Sequence, residues 1–178
     1  MTVAEAITKS GITPSASYTG IETADDFVFA IQTESTQSKE TDWVVCADHV
    51  KEHSGALNAT TNSDTFIRTG PTDTKSAVQR TLSVTGNRCV GDAFQDFLLS
   101  RKIVFGTGSD VIVPYIYFSL RTGKGEKGSC TLVVTSDVGG AAGSPATFAC
   151  DVKSIGVPGT FDYLTATQSA AGGNAVKA

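Results

Sequence analysis

A chain of 178 residues is long enough for one domain that buries roughly 70% of its unfolded surface, so neither disulfides nor metal are needed merely to fold. Charged residues make up 18%, below the about 25% of ordinary soluble proteins, and Thr, Ser, Gly and Ala fill their place, which suits β-structure and weakly polar surfaces. The net charge of −4 excludes a protein that condenses on DNA or anionic membranes through clustered cations, but it is compatible with a wall surrounding DNA.

The charge is uneven. Residues 1–75 carry 5 Lys/Arg against 11 Asp/Glu, and residues 76–178 carry 9 against 7. Residues 1–25 are polar and punctuated by Gly11, Pro14 and Gly20, and read as a loosely held N-terminal arm. Thr2 followed by Glu5 is nevertheless the spacing of a capping box. Phe27, Phe29 and Ile31 alternate with smaller neighbours and predict a strand over 27–33; residues 35–41 read as a turn, and 42–48 as a second strand holding Trp43. Residues 49–65 lose apolar content and period, and are expected to be a long exposed loop or an irregular hairpin. A short strand is predicted at 66–68, ending at Gly70-Pro71.

Residues 80–86 alternate cleanly, with Leu82 and Val84 on one face and Thr81, Ser83 and Thr85 on the other. Asp92 caps a predicted helix over about 92–100, in which Phe94, Phe97 and Leu98 share a face. Strands are predicted at 102–105, 111–121, 128–136 and 147–155, with a small-residue loop at 139–144. In the last strand Asp151 and Lys153 oppose Phe148, Cys150 and Val152. The ending AAGGNAVKA reads as a flexible tail, residues 166–178. The main domain is therefore expected over 26–165, as a β-dominated α+β fold.

The motifs point away from catalysis. Gly123, Gly125 and Gly128 spell GxGxxG, but a strand follows where a phosphate loop needs a helix, so the motif is read as a hairpin turn. Lys124, Glu126 and Lys127 on that turn are candidates for contact with a neighbouring subunit. His49 and His53 are four apart without the HExxH order, and read as exposed loop histidines. No GxSxG elbow accompanies them, and Asp25 and Asp26 are neighbours that point to opposite sides of a strand. The Asn58-Ala59-Thr60 sequon is read as a polar loop. No basic run interleaved with aromatics is present. No cofactor, metal site or enzyme activity is expected.

Cys46, Cys89, Cys130 and Cys150 form no CxxC pair, and no apolar run resembles a signal-peptide core or a membrane span. Four free thiols in a reducing cytosol are expected.

The segment LSVTGNRCVGDAFQDFLLSRKIVFGTGSDVIVPYIYF, with its GD-x-x-Q-D helix opening, and the later TGKGEKGSCTLVV resemble the middle of bacteriophage major tail, or tail tube, proteins, over about residues 75–155. The resemblance implies a tail-tube-type β-sandwich or half-barrel with one flanking helix and extended loops, acting without catalysis. It implies hexameric rings stacked into a tube around a channel that holds a tape-measure protein and conducts DNA. Tail terminator and tail tip proteins are the further partners it implies, and the virion tail, assembled in the host bacterial cytoplasm, is the location. Candidate lumen-facing residues are then Thr81, Ser83, Thr85, Asp151 and Lys153. Candidate stacking-loop residues are His49, His53, Asn58 and Asn62. Two alternatives stand beside this reading: a tube subunit of a contractile or secretion-type system, and a carbohydrate- or receptor-binding β-sandwich. The second would need exposed aromatics among Trp43, Tyr115 and Tyr117.

Overall fold

A computed structural model describes residues 1–166. The chain forms α1 (Val3–Ser10), β1 (Phe27–Ile31), β2 (Val44–Val45), β3 (Val50–Phe66) and β4 (Gly70–Asn87), then α2 (Ala93–Leu98), α3 (Arg101–Val104), β5 (Ile112–Ser119), β6 (Lys124–Gly139) and β7 (Thr147–Asp162). All seven strands belong to one antiparallel sheet of order β2-β1-β5-β6-β7-β4-β3. The fold is α+β and β-dominated, as the pattern of elements predicts. No helix among the described residues is long and apolar enough to cross a membrane.

Alternation along the strands builds a core on each face of the sheet. Phe29, Tyr115, Leu132, Cys150, Val152, Leu82 and Val84 share the larger core with Phe94 and Leu98 of α2 and Ile103 of α3. The opposite parity of β1 and β5, namely Val28, Ala30, Ile116 and Phe118, packs under Val3 and Ala6 of α1. Burial raises the thiol pKa of Cys46 and Cys130 well above normal and that of Cys150 to about 12, so all three are protonated. All four cysteines are free.

The expected helix at about 92–100 is present as α2, and its opening motif has a physical reason. Gly91 takes φ 94, and the Asp92 carboxylate accepts from the Gln95 amide at 2.9 Å. The fully buried Gln95 donates to the carbonyls of Asp48 and Asn87, and it accepts from the Cys89 amide at 2.7 Å. One side chain thus ties α2 to the turn before β3 and to the end of β4. Asp96 pairs with Arg88 and accepts from the Gly91 amide, and these contacts, Arg88 above all, hold its carboxyl below the usual range.

Several expectations are corrected. Residues 49–65 are not a loop: all but the first belong to β3, paired with β4 from Val50↔Gly86 to Phe66↔Gly70, and residues 67–69 make the turn. The ribbon lacks a hydrophobic period because water meets both of its faces. Residues 102–105 are not a strand. Ser100 begins a second short helix, α3, which buries Ile103. The turn expected at 123–128 lies at 120–123, and Lys124 already opens β6. Gly125 is required inside that strand, because a Cβ there would come within 2.1 Å of the Tyr117 carbonyl oxygen.

The N-terminal segment carries a docked helix. The Thr2 amide donates to Glu5 at 2.8 Å and the Glu5 amide to the Thr2 hydroxyl at 3.3 Å, forming the capping box. The strand expected over 42–48 shrinks to Val44–Val45, with the Trp43 indole donating to the Gln37 carbonyl. The tail expected at 166–178 lies outside the described residues except for Ala166.

Candidate assembly surface

β4, β7 and β6 turn their second face to solvent. Their registers set Thr81 beside Lys153 and Lys153 beside Thr131; the next row is Ser83, Asp151 and Val133, and Thr85 faces Ala149. The neighbours of these residues along each strand (Leu82, Val84, Cys150, Val152 and Leu132) are buried in the larger core, so alternation puts the whole set on the outer face. Ser83 donates to Asp151 at 2.7 Å, and Asn58 of β3 donates to Thr81 at 2.9 Å, leaving Thr81 8% exposed. The five residues expected at a lumen therefore form one contiguous polar patch. α1 covers this face of the sheet over β1 and β5; the core it caps meets β7 only at Phe161, near the end of that strand, and does not reach β4.

The same registers expose strand edges unequally. On β2 the N-terminus occupies the outer edge, with Val45 donating to the Met1 carbonyl at 2.9 Å and Val3 to the Trp43 carbonyl at 3.1 Å. β7 beyond its pairing with β4 carries Gly156 at φ 71, Pro158 and a bulge opposite Gly128, all of which blunt strand addition. β3 has an open outer edge along its length, and β6 beyond Thr131 has no strand on its β5 side.

Past Thr81↔Lys153 the β3–β4 pair leaves the sheet as a free two-stranded ribbon. At Arg80, where it departs, the backbone amide donates to the Ser154 hydroxyl at 3.2 Å and the guanidinium pairs with Glu126 at 3.0 Å. From Arg80 to Gly70 the ribbon projects about 35 Å if straight. Residues 54–79 are exposed apart from Gly70 and Val78, including Leu57, Phe66 and the fully exposed Ile67.

Of the expected inter-subunit hairpin, Glu126 accepts from Arg80 and from the Tyr115 hydroxyl, and Lys127 donates to Glu40 at 2.7 Å. Both make contacts within the protomer, and Lys124 stays exposed at the start of β6. The four residues expected in a stacking loop are spread along the β3–β4 unit. His49 sits in the turn before β3 at φ 58, and the His53 ring stands edge-on to Tyr117 at 5.9 Å. The His53 Nδ1 is shielded without a hydrogen-bond partner among the described residues. Asn58 is on the polar patch, and Asn62 faces Thr74 in the free ribbon. Among the described residues no three His, Cys, Asp or Glu side chains gather as metal ligands. Trp43 and Tyr115 are buried, and Tyr117 is stacked on Phe27.

One sheet with helices on its faces, a polar outer patch and a projecting ribbon define the tail-tube-type α+β fold that the sequence resembles. Among the particular structures that share it are two from gene transfer agent particles. A chain of the virion of a native gene transfer agent particle superposes with a TM-score of 0.57 at 16% identity, over 79% of this chain and 98% of that one. A chain of the tail of an empty gene transfer agent particle, with C6 symmetry, gives 0.55 at 16% identity, over 78% and 98%. No protein-family model matches the chain, and no curated protein does.

Proposed function

We propose that this chain is a non-catalytic structural subunit of a phage-type tail tube, in which rings stack around a channel holding a tape-measure protein and conducting DNA. The observation that carries it is the polar outer patch of β4, β7 and β6, bounded by open edges at β3 and at the end of β6. The strands β6-β7-β4-β3 are four in number and alternate in direction. When copies repeat head to tail, β3 of one therefore meets β6 of the next in antiparallel sense, and the sheet closes without a mismatch. Closure removes the edges that otherwise invite uncontrolled association. Six copies per ring is the number suggested by the C6 symmetry of the related tail. With a net charge of −4 per copy and Asp151 balancing Lys153 in the patch, the wall has no excess of cations to hold phosphate, so DNA is not retained.

In this reading Thr81, Ser83, Thr85, Asp151 and Lys153 line the channel, and the β3–β4 ribbon is the stacking element. Burial of Trp43 and Tyr115 removes the exposed aromatic cluster that a glycan-binding module would need. Negative-stain microscopy of concentrated protein tests the proposal. Rings or tubes are expected, and a chain that remains monomeric at every concentration and ionic strength overturns it.

A further inference from the structure

The ribbon ends in side chains that have no role in their own protomer. Ile67 is fully exposed, Phe66 is half-exposed, and Asp64 and Arg68 flank them with opposite charges. A two-stranded ribbon with both faces in water is marginal by itself. Exposed apolar side chains at its end mark a contact surface.

A matching surface lies elsewhere on the molecule. A groove of about 430 Å³ opens between α1, β1 and the base of β3, with Val28, Val45 and Leu120 in its lining. Its rim carries both charges: Lys9 and Lys51, and Asp25 and Asp48. The groove also offers backbone. β2 pairs with β1 only at Ala30 and Ile31, so the β1 edge at Phe27 and Val28 has no strand beside it, and across the groove the β3 edge is open. His53, with its shielded and unpartnered Nδ1, lines the groove as well.

We propose that this groove receives the hairpin tip of a second copy of the chain. Phe66 and Ile67 fill the apolar floor, Arg68 meets Asp25 or Asp48, and Asp64 meets Lys9 or Lys51. A backbone amide or a hydroxyl of Thr65 or Thr69 supplies the missing partner of His53. The tip cannot enter its own groove, because 13 residues of extended strand, about 44 Å, separate Phe66 from His53. The contact joins two different surfaces, so it repeats indefinitely along an axis, as ring stacking requires. The assignment rests on the tube reading and names the receptor for its stacking element. Other exposed apolar side chains, Val90, Phe105 and Val138 among them, are the competing receptors.

The test is photo-cross-linking of the full chain under assembling conditions, with p-benzoylphenylalanine in place of Ile67, followed by peptide mass spectrometry. Intermolecular cross-links to residues 24–28 or 45–53 are expected. Cross-links confined to Val90, Phe105 or Val138, or to any other surface, overturn the groove as receptor. A second variant, Ala47→Trp, plugs the groove mouth at an exposed position and is expected to reduce assembly at least tenfold with the melting temperature unchanged. Assembly of Ala47→Trp at the wild-type level also overturns the groove. Wild-type chain that never assembles overturns the tube reading itself, so the two failures are distinct.

Discussion

β4 passes through two environments within one strand. Its last seven residues, 81–87, lie between β3 and β7 with Leu82 and Val84 buried against α2. Its first ten residues, 70–79, pair with β3 alone and are wet on both faces. The backbone hydrogen bonding is the same in kind, so the ladder alone does not separate the two halves. Packing does: the lower half is held by a core made within the protomer, and the upper half awaits a surface from outside it.

Hydrogen exchange gives that contrast its largest measurable form. In the free protomer, amides of Val84 and Val152 should exchange only on global unfolding, and those of residues 58–78 through local opening, about a thousandfold faster or more. Assembly should then slow the ribbon amides. Equal protection of both halves in the free protomer would remove the distinction. A side-chain version of the same test is Phe94→Ala. Phe94 is fully buried, edge-on to Phe29 at 5.9 Å, so its truncation should cost about 3–5 kcal/mol in denaturant unfolding.

The contrast also explains what was legible in the sequence. The lower half of β4 announces itself by strict alternation, and α2 by Gly91, Asp92 and the spacing of Phe94 and Leu98; each signal exists because one face is buried and the other is not. The ribbon has no such asymmetry, so residues 49–65 read as a loop or an irregular hairpin although Thr60, Thr61 and Thr65 favour a regular strand. A sharper signal was Arg68-Thr69-Gly70-Pro71, where Gly70 at φ 76 closes the hairpin. Gly125 misled for a related reason. Close approach to the Tyr117 carbonyl demands a glycine inside a strand, and sequence alone cannot separate that demand from a turn. The polar patch was legible residue by residue, but its continuity across three strands depends on register, which no local pattern encodes. The docking of α1 required knowing that β1 and β5 bury their second face.

Shortening the ribbon should separate assembly from folding. Replacing residues 60–77 with Asn-Gly joins the paired residues Ala59 and Val78 by a two-residue turn. The expected change in protomer stability is within about 1 kcal/mol, since no buried apolar contact is removed. Tubes should be absent in microscopy. Unfolding of the shortened chain would mean that the ribbon belongs to the core, and normal tubes would mean that it does not stack rings.

The smallest expected effect lies in the acid limb of stability, and it tests whether the sheet half is also held by charge. Asp26 is 4% exposed and accepts from the Thr23 amide at 2.9 Å and from Arg121 at 2.8 Å. The Thr23 amide first, and then Arg121, hold its carboxyl below the usual carboxylate range. A depressed folded-state value means that its stabilisation is fully present above the unfolded value of about 3.9 and is lost as pH falls through the lower, folded value. Asp26→Asn should therefore melt below wild type at neutral pH, with the gap closing only under about pH 4. The Asp26 carbonyl also accepts from the Leu120 amide at 2.7 Å, a backbone bond that the substitution leaves intact, so the variant reports on the carboxylate itself. A gap that stays constant down to pH 2 would assign the loss to packing, and the contrast between sheet and ribbon would then rest on burial alone.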